Sequence, residues 1–506
     1  MKALLRKVID VRRGEWAVLA LMLSYYYVLL MTFYLLKPAR DSLFLIKLTP
    51  QQLPFVFILS AIAAVPVTAL YSRAAARLSL VSLINATTVV LLFCLIGLRL
   101  LIRQDAEWIF YLLYIWVGLY GILVTAQFWL LANAVYDHAQ AKRIFTLLGS
   151  AGIIGAVTGG ELTNFLIQNL KMPTENLLAI CAALLVASMI LVTSIWRLRG
   201  LGKTDPAPAT PQSEPALALV GVYRAVKQSR LLWLIIAVIA IAVMVSTFID
   251  FIFKDIGYSY YAGDKDGMTA FFGRFYGRVS LISLAIQLLL SYRILRALGV
   301  GGALLMMPLA VLTGSVAVMA VPALLSAIFL KGAEGSLEYS IDRIGRELLF
   351  LPIPLDVKKR TKVFIDIFVD RWFRGLAGIL LLVLTLALTV SSRQLALIVG
   401  IMVVGWGIIA WNVRREYANA FRLALERRDI DLSEVRFRID DAATLNSLTT
   451  SLSSPNARQV AYALDLLKSA KSSELITQVT PLLKHESPEV RRKAVEFLQD
   501  YHESVV

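Results

Sequence analysis

The chain has 506 residues, 58% of them hydrophobic and only 17% charged, with a mean hydropathy of +0.70. Soluble proteins are nearer half apolar and a quarter charged, so these values exclude an ordinary soluble globular protein and predict a membrane protein. The net charge of +16 does not read as a nucleic-acid surface: residues 430–506 are slightly acidic, and an excess of Lys and Arg within the apolar part belongs to cytoplasmic loops.

Lys2, Arg6, Lys7, Arg12 and Arg13 precede an apolar run from Trp16 to Leu36. That run is too long for a signal-peptide core and is expected to remain as the first membrane span. Stretches near the roughly 20 residues that cross a bilayer follow at 53–72, 80–102, 108–133, 144–168, 177–197, 231–253, 272–294, 300–320, 323–350, 363–390 and 394–412, twelve in all. The tenth and eleventh are polar for spans and are included because their charges recur at helical spacing. Lys and Arg concentrate in the connections on one side, which places both termini in the cytoplasm and the protein in the cell inner membrane. Cys94 and Cys181 lie inside apolar runs and read as small core residues, without a disulfide framework or metal site. The fold class expected is therefore an all-α polytopic membrane protein embedded in the lipid bilayer.

The Pro-rich stretch Lys203 to Pro215 cannot pack and reads as a flexible linker. It divides the chain into a six-helix half over 1–200, a cytoplasmic linker over 201–228 and a second six-helix half over 229–428. The halves share a weak duplication at an offset of 214–220 residues. Tyr71-Ser72-Arg73 resembles Tyr292-Arg293, Arg40-Asp41 resembles Lys254-Asp255, and Lys142-Arg143-Ile144-Phe145 resembles Thr361-Lys362-Val363-Phe364, a shift that also carries Gly159 onto Gly378. Three matches in chain order predict a 6+6 bundle resembling the major-facilitator type. Residues 429–506 differ in character: Pro455, Arg458, Ala461 and Leu464 recur 33 residues later as Pro488, Arg491, Ala494 and Phe497. A Pro that starts each helix and an Ala that admits a close neighbour resemble HEAT repeats, here a small cytoplasmic domain that docks on the bundle or on a cytoplasmic protein partner.

Charges inside spans are costly, so a recurring set on one face calls for partners or a water-filled cavity. Lys362, Asp366, Asp370 and Arg374 follow at intervals of four in the eleventh span, with Arg371 beside them, and Lys331, Glu334, Glu338 and Asp342 form a like stripe in the tenth. Arg274 and Arg278 share a face of the eighth. The first span ends on Lys37, Arg40 and Asp41, the seventh on Asp250, Lys254 and Asp255. Two readings stand: the charges pair between helices and hold the halves together, or the clustered cations bind a multiply charged anion. The binding set under the second reading is Lys37, Arg40, Asp41, Lys254, Arg274, Arg278, Lys331, Glu334, Glu338, Lys362, Asp366, Asp370 and Arg374.

Other motifs carry no chemistry. Gly202-Lys203-Thr204 lacks the glycine and the strand of a phosphate-binding loop, since Arg197 stands where that glycine belongs. Gly149, Gly152, Gly155, Gly159 and Gly160 inside an apolar span read as a helix-packing face. His138, His485 and His502 are scattered, so no metal, cofactor or enzyme activity is expected.

Gln127-Phe128-Trp129-Leu130-Leu131-Ala132-Asn133, Gln140-Ala141-Lys142-Arg143 and Gly149-Ser150-Ala151-Gly152 closely resemble the ATP/ADP translocase family of plastids and intracellular bacteria. So do LLKPARDSL at 35–43, GRFYG at 273–277 and the segment Glu347 to Asp366. The resemblance covers about 16–412 and implies a major-facilitator-like exchanger of nucleotides that does not hydrolyse them. It places the family's first-span lysine on Arg40 and a second lysine on Lys362, both still cationic. An acidic residue of the family's fourth span falls near Val117, where nothing is acidic, and one before its eighth span has only Asp266 nearby. The expected partner is a nucleotide, ATP/ADP or a similar phosphorylated anion, moved by alternating access. The alternative is a membrane-anchored sensing or interaction protein that recruits a cytoplasmic partner through its repeats.

Overall fold

The computed structural model describes residues 15–199, 226–227, 229–427, 449, 452–453, 457–467 and 474–505. Long apolar runs with hardly any helix breakers give the first half six helices: α1 (Trp16–Leu48), α2 (Leu53–Ala75), α3 (Leu80–Leu101), α4 (Glu107–Val135), α5 (His138–Gln168) and α6 (Asn176–Arg199). The second half has α7 (Arg230–Tyr261), α8 (Lys265–Ala285) and α9 (Ser291–Ala320). It continues with α10 (Leu324–Leu337, then the π turn Glu338–Asp342 and Arg343–Leu349) and α11 (Leu355–Phe364, the π turn Ile365–Val369 and Asp370–Leu382), and ends on α12 (Ser392–Arg427). Polar caps fix several starts: the Ser79, Ser229 and Asp264 side chains each accept a backbone N–H of the first turn, and Asp137 and Gln140 form a reciprocal capping box.

Among the described residues, nine segments are long and apolar enough to cross a membrane. α10 and α11 are not among them because their charges lower the hydropathy, and α8 with α9 forms one continuous 56-residue segment, Lys265–Ala320. Within it Gly299 adopts φ 69°, ψ 175°, a conformation open to glycine, and redirects the chain. The chain is a multi-pass membrane protein. The proposed linker over 201–228 lies outside the described residues except for 226 and 227.

Helix packing repeats between the halves. In the first, α1 packs on α4, α5 and α6, and α3 on α6; in the second, α7 packs on α10, α11 and α12, and α9 on α12. Each pairing is the other shifted by six helices, which is the internal symmetry the weak sequence repeats imply. The halves meet most extensively along two seams, α5 with α8 and α2 with α11, which the same shift exchanges, and α1 also packs on α8.

Glycines set both seams. A Cβ on Gly160 would stand 2.4 Å from the Gly273 carbonyl oxygen and 2.7 Å from Gly277 Cα, while one on Gly378 would meet the Pro54 carbonyl oxygen at 3.0 Å. Gly152, Gly155 and Gly159 of the same run face Tyr26, Tyr27 and Met31 of α1, so this stretch is a packing face; Gly149 touches nothing within 4 Å. Cys181 is buried, but Cys94 is exposed beside exposed Val90 and Phe93 on α3. It faces outward from the bundle, a correction to its core reading: an apolar run in a membrane helix does not distinguish core from lipid face.

The tail forms α13 (Ala457–Leu467), α14 (Glu474–Val479) and α15 (Pro488–Val505). α13 packs on α15 through Ala461, Leu464, Ala494 and Phe497, all buried, and Lys493 pairs with Asp465. α13 also touches α12. Pro455 lies outside the described residues.

Candidate substrate site

The charges of α1, α7 and α10 join in one buried network. Arg40 donates from Nε and Nη2 to Asp41 Oδ1 at 3.0 and 2.7 Å, and the Lys254 ammonium lies 3.3 Å from the same oxygen. Lys254 also donates to Asp250 Oδ2 at 2.7 Å and to the Tyr114 hydroxyl at 2.6 Å. Lys331 stands 3.6 Å from Asp250 Oδ1 and 2.9 Å from Glu334 Oε2, and Ser246 donates to Glu334 Oε1. The Tyr276 hydroxyl donates to Asp41 Oδ2 at 3.0 Å. Asp41, Lys254 and Glu334 are fully buried. Buried charges persist at such a depth only when partnered in this way.

Lys37 is the exception. It has no carboxylate within ion-pair distance among the described residues, and its ammonium stands 3.7 Å from the Tyr276 ring centroid. The charges of Asp250 and Asp41 attract it while those of Lys331 and Arg40 repel it. Lys37 thus stands beside the ion-paired residues Arg40, Lys254 and Lys331 without an ion pair of its own among the described residues.

Further charge pairs lie along α10 and α11. Asp370 pairs with Arg374 at 3.2 Å and lies 4.0 Å from Arg371, and Arg346 pairs with Asp342. These pairs each lie within one helix. A four-residue spacing drifts around an ordinary α-helix of 3.6 residues per turn. The wider π turns at Glu338–Asp342 and Ile365–Val369 rotate the chain less per residue and offset that drift, as π turns at functional sites do.

Three predicted cations lie elsewhere. Arg274 donates to Asn164 at 2.8 Å and Arg278 lies 3.7 Å from Glu161, both on the exposed flank of the α5–α8 seam. On α8 the interior is marked by Tyr276 and Ser280, and Arg274 and Arg278 occupy the face shared with exposed Leu281 and Ile282. Their common face does exist, but it points out of the bundle, which their spacing could not show. Lys362 pairs with Glu347 at 2.6 Å, both partly exposed. It lies sixteen residues before Gly378, or about 24 Å along a helix rising 1.5 Å per residue, so it stands at the opposite end from Arg40. The Asp366 side chain lies outside the described residues.

Sequence reasoning did not select Tyr114, Tyr276 or Ser246, which satisfy the buried charges. An aromatic in an apolar span reads as packing, and no spacing rule separates the few that hold an ion.

The network sits near one end of the bundle, where the halves are tied together. The Thr174 hydroxyl donates to Asp266 at 2.6 Å and meets the Thr269 hydroxyl at 2.8 Å, Ser42 bonds Thr269, and Lys265 pairs with Glu175 at 2.6 Å. The α2–α11 seam is carried by the Asp370–Leu382 part of α11, where Gly375 and Gly378 meet Ala61 and Pro54.

Comparisons place this geometry among known proteins. A family model described as TLC ATP/ADP transporter matches residues 86–417. ADP,ATP carrier protein 3 of Rickettsia prowazekii (strain Madrid E) is 33% identical over 70 residues, 14% of this chain and 14% of that protein's length. ADP,ATP carrier protein 1 of Chlamydia pneumoniae is 21% identical over 361 residues, 63% of this chain and 69% of that protein. Among solved structures, the nucleoside transporter NupG aligns with a TM-score of 0.58 at 12% identity, covering 79% of this chain and 99% of its own. A bacterial homologue of the iron transporter ferroportin in an inward-facing state aligns at 0.54 and 12%, covering 78% and 99%. At such identities the likeness establishes the fold, a helical bundle of two halves, and neither role nor substrate.

Proposed function

The chain belongs to the TLC ATP/ADP transporter family, and on that premise we propose that it exchanges nucleotides or related phosphorylated anions across a membrane by alternating access, without hydrolysing them. The carrying observation is the network of Arg40, Asp41, Lys254, Asp250, Lys331 and Glu334 between the halves, with Lys37 beside it making no ion pair among the described residues. A cation without an ion pair, held between two rocking halves, is where a multiply charged anion gains charge-assisted hydrogen bonds. The related carriers from Rickettsia and Chlamydia, named for ADP and ATP, support the choice of nucleotide.

In this reading α10 and α11 also cross the bilayer, giving twelve passes, with both termini and the 201–228 linker facing the cytoplasm across the cell inner membrane. Residues 429–506 form a HEAT-like module that meets a cytoplasmic protein; the packing of α13 on α15 through the 33-residue repeat positions supports it. The deciding experiment is uptake of labelled ATP and ADP into vesicles of purified full-length protein, with and without internal nucleotide. Exchange predicts uptake that needs internal nucleotide, and no uptake of either nucleotide under any loading would reject it.

A further inference from the structure

Among the described residues, Asp41 is the one carboxylate of the buried network that ion-pairs with cations of both halves. Asp250 and Glu334 ion-pair only with Lys254 and Lys331 of their own half. Asp41 Oδ1 accepts both hydrogen bonds of the Arg40 guanidinium, from Nε at 3.0 Å and Nη2 at 2.7 Å, and has the Lys254 ammonium at 3.3 Å. Its Oδ2 accepts from the Tyr276 hydroxyl of α8 at 3.0 Å, and the residue is fully buried. The next residue, Ser42, bonds Thr269 of α8. One turn of α1 thus neutralises cations of both halves and ties the halves together.

A guanidinium, an ammonium and a phenol hydroxyl converging on one group are also the donors that hold a phosphate oxygen. In this structure a carboxylate of the chain itself fills that place. Rocking the halves apart at this end must separate Asp41 from Lys254 and Tyr276, and parting a buried ion pair with nothing to replace it is unfavourable. A multiply charged anion removes that obstacle by giving Arg40 and Lys254 new acceptors. Resting on the nucleotide reading above, we infer that Asp41 is an internal stand-in for the substrate's phosphate, which locks the halves together until a phosphorylated anion displaces it from Arg40 and Lys254. The empty carrier therefore does not turn, and transport runs as exchange.

The test turns on a sign. If Asp41 only positioned Arg40 and Lys254, Asp41→Asn would weaken ATP binding. A displaced competitor requires the opposite: in calorimetric titration of purified full-length protein, Asp41→Asn is expected to bind ATP and inorganic tripolyphosphate about ten- to a hundredfold more tightly. In vesicles its ATP uptake should no longer need internal nucleotide. Lys254 keeps Asp250 and Tyr114, and the Arg40 guanidinium lies 3.9 Å from the Tyr114 ring centroid, so both cations retain partners in the variant; thermal unfolding checks its fold. If it melts early, Tyr276→Phe, which takes one donor from Asp41 and removes no charge, should tighten binding by a smaller factor. Unchanged or weaker binding of both anions by a folded variant overturns the stand-in. Wild-type protein that binds neither anion overturns instead the nucleotide reading, and distances then decide the lock. With Cys94→Ala and Cys181→Ala, spin labels at exposed Gln104 and Tyr260, one in each half, should show a larger separated population in Asp41→Asn than in wild type; equal populations overturn the lock.

Discussion

Lys254 of α7 lies 3.3 Å from Asp41 of α1, a fully buried ion pair that joins the two halves. Replacing Lys254 by Met leaves Asp41 and Asp250 buried with one cation fewer, and breaking such a pair costs about 3–5 kcal/mol. The Asp41→Asn, Lys254→Met double variant should recover part of that loss. Equilibrium unfolding in detergent measures the cycle, and losses that simply add would show that the pair is not coupled.

Lys37 and Arg40 share a helix but not a role. Arg40 is bound twice by Asp41, so Arg40→Gln should lower the melting temperature of ligand-free protein. Lys37 stands over Tyr276 without a carboxylate, and Lys37→Gln should melt near wild type. What Lys37→Gln should lose is the concentration-dependent stabilisation by ATP, through an affinity about ten- to a hundredfold weaker. Undiminished ATP protection in the Lys37 variant would count against a phosphate contact there.

At the α5–α8 seam the expectation concerns backbone contact. Gly160→Ala places a Cβ 2.4 Å from the Gly273 carbonyl oxygen, whereas Gly149→Ala meets nothing within 4 Å. The first should lower folded yield on size-exclusion chromatography and slow uptake, because the halves cannot close to their native spacing; the second should be neutral. Equal behaviour of the two variants would remove the seam's dependence on glycine.

The C-terminal module touches the bundle through α13 and α12, while its own buried residues, among them Val460, Leu464, Ala494 and Phe497, pack α13 on α15. Removing residues 430–506 is expected to leave a membrane-inserted, monodisperse bundle. Aggregation of the truncated protein on solubilisation would instead make the module part of the bundle's fold.

Two parts of this protein were legible without a structure, for a reason set by the bilayer. Hydrocarbon tolerates only internally hydrogen-bonded backbone, so apolar runs near 20 residues declare their helices directly, and runs such as 16–36 and 108–133 fall within α1 and α4. Intramembrane charges are costly enough that the stripes Lys331–Glu334–Glu338 and Asp370–Arg374 stood out. The sequence likewise carried the duplication, in matches as slight as Gly159 with Gly378; the packing aligns Gly378 with Gly160, the glycine at the equivalent seam, one residue away.

Direction and depth belonged to the tertiary structure. Arg274 and Arg278 share a helical face by spacing alone, but whether that face meets the cavity or the flank depends on which neighbours Tyr276, Gly273 and Gly277 pack against. Lys362 and Arg40 are both cationic, yet their separation follows from the seam that fixes the depth of α11 against α2. The partners of the buried charges, Tyr114 and Tyr276, come from helices far apart in sequence, and an aromatic in an apolar run looks the same whether it fills a core or holds an ion. Side-chain type sets what a residue can bond, and only the packing of distant helices decides what it meets.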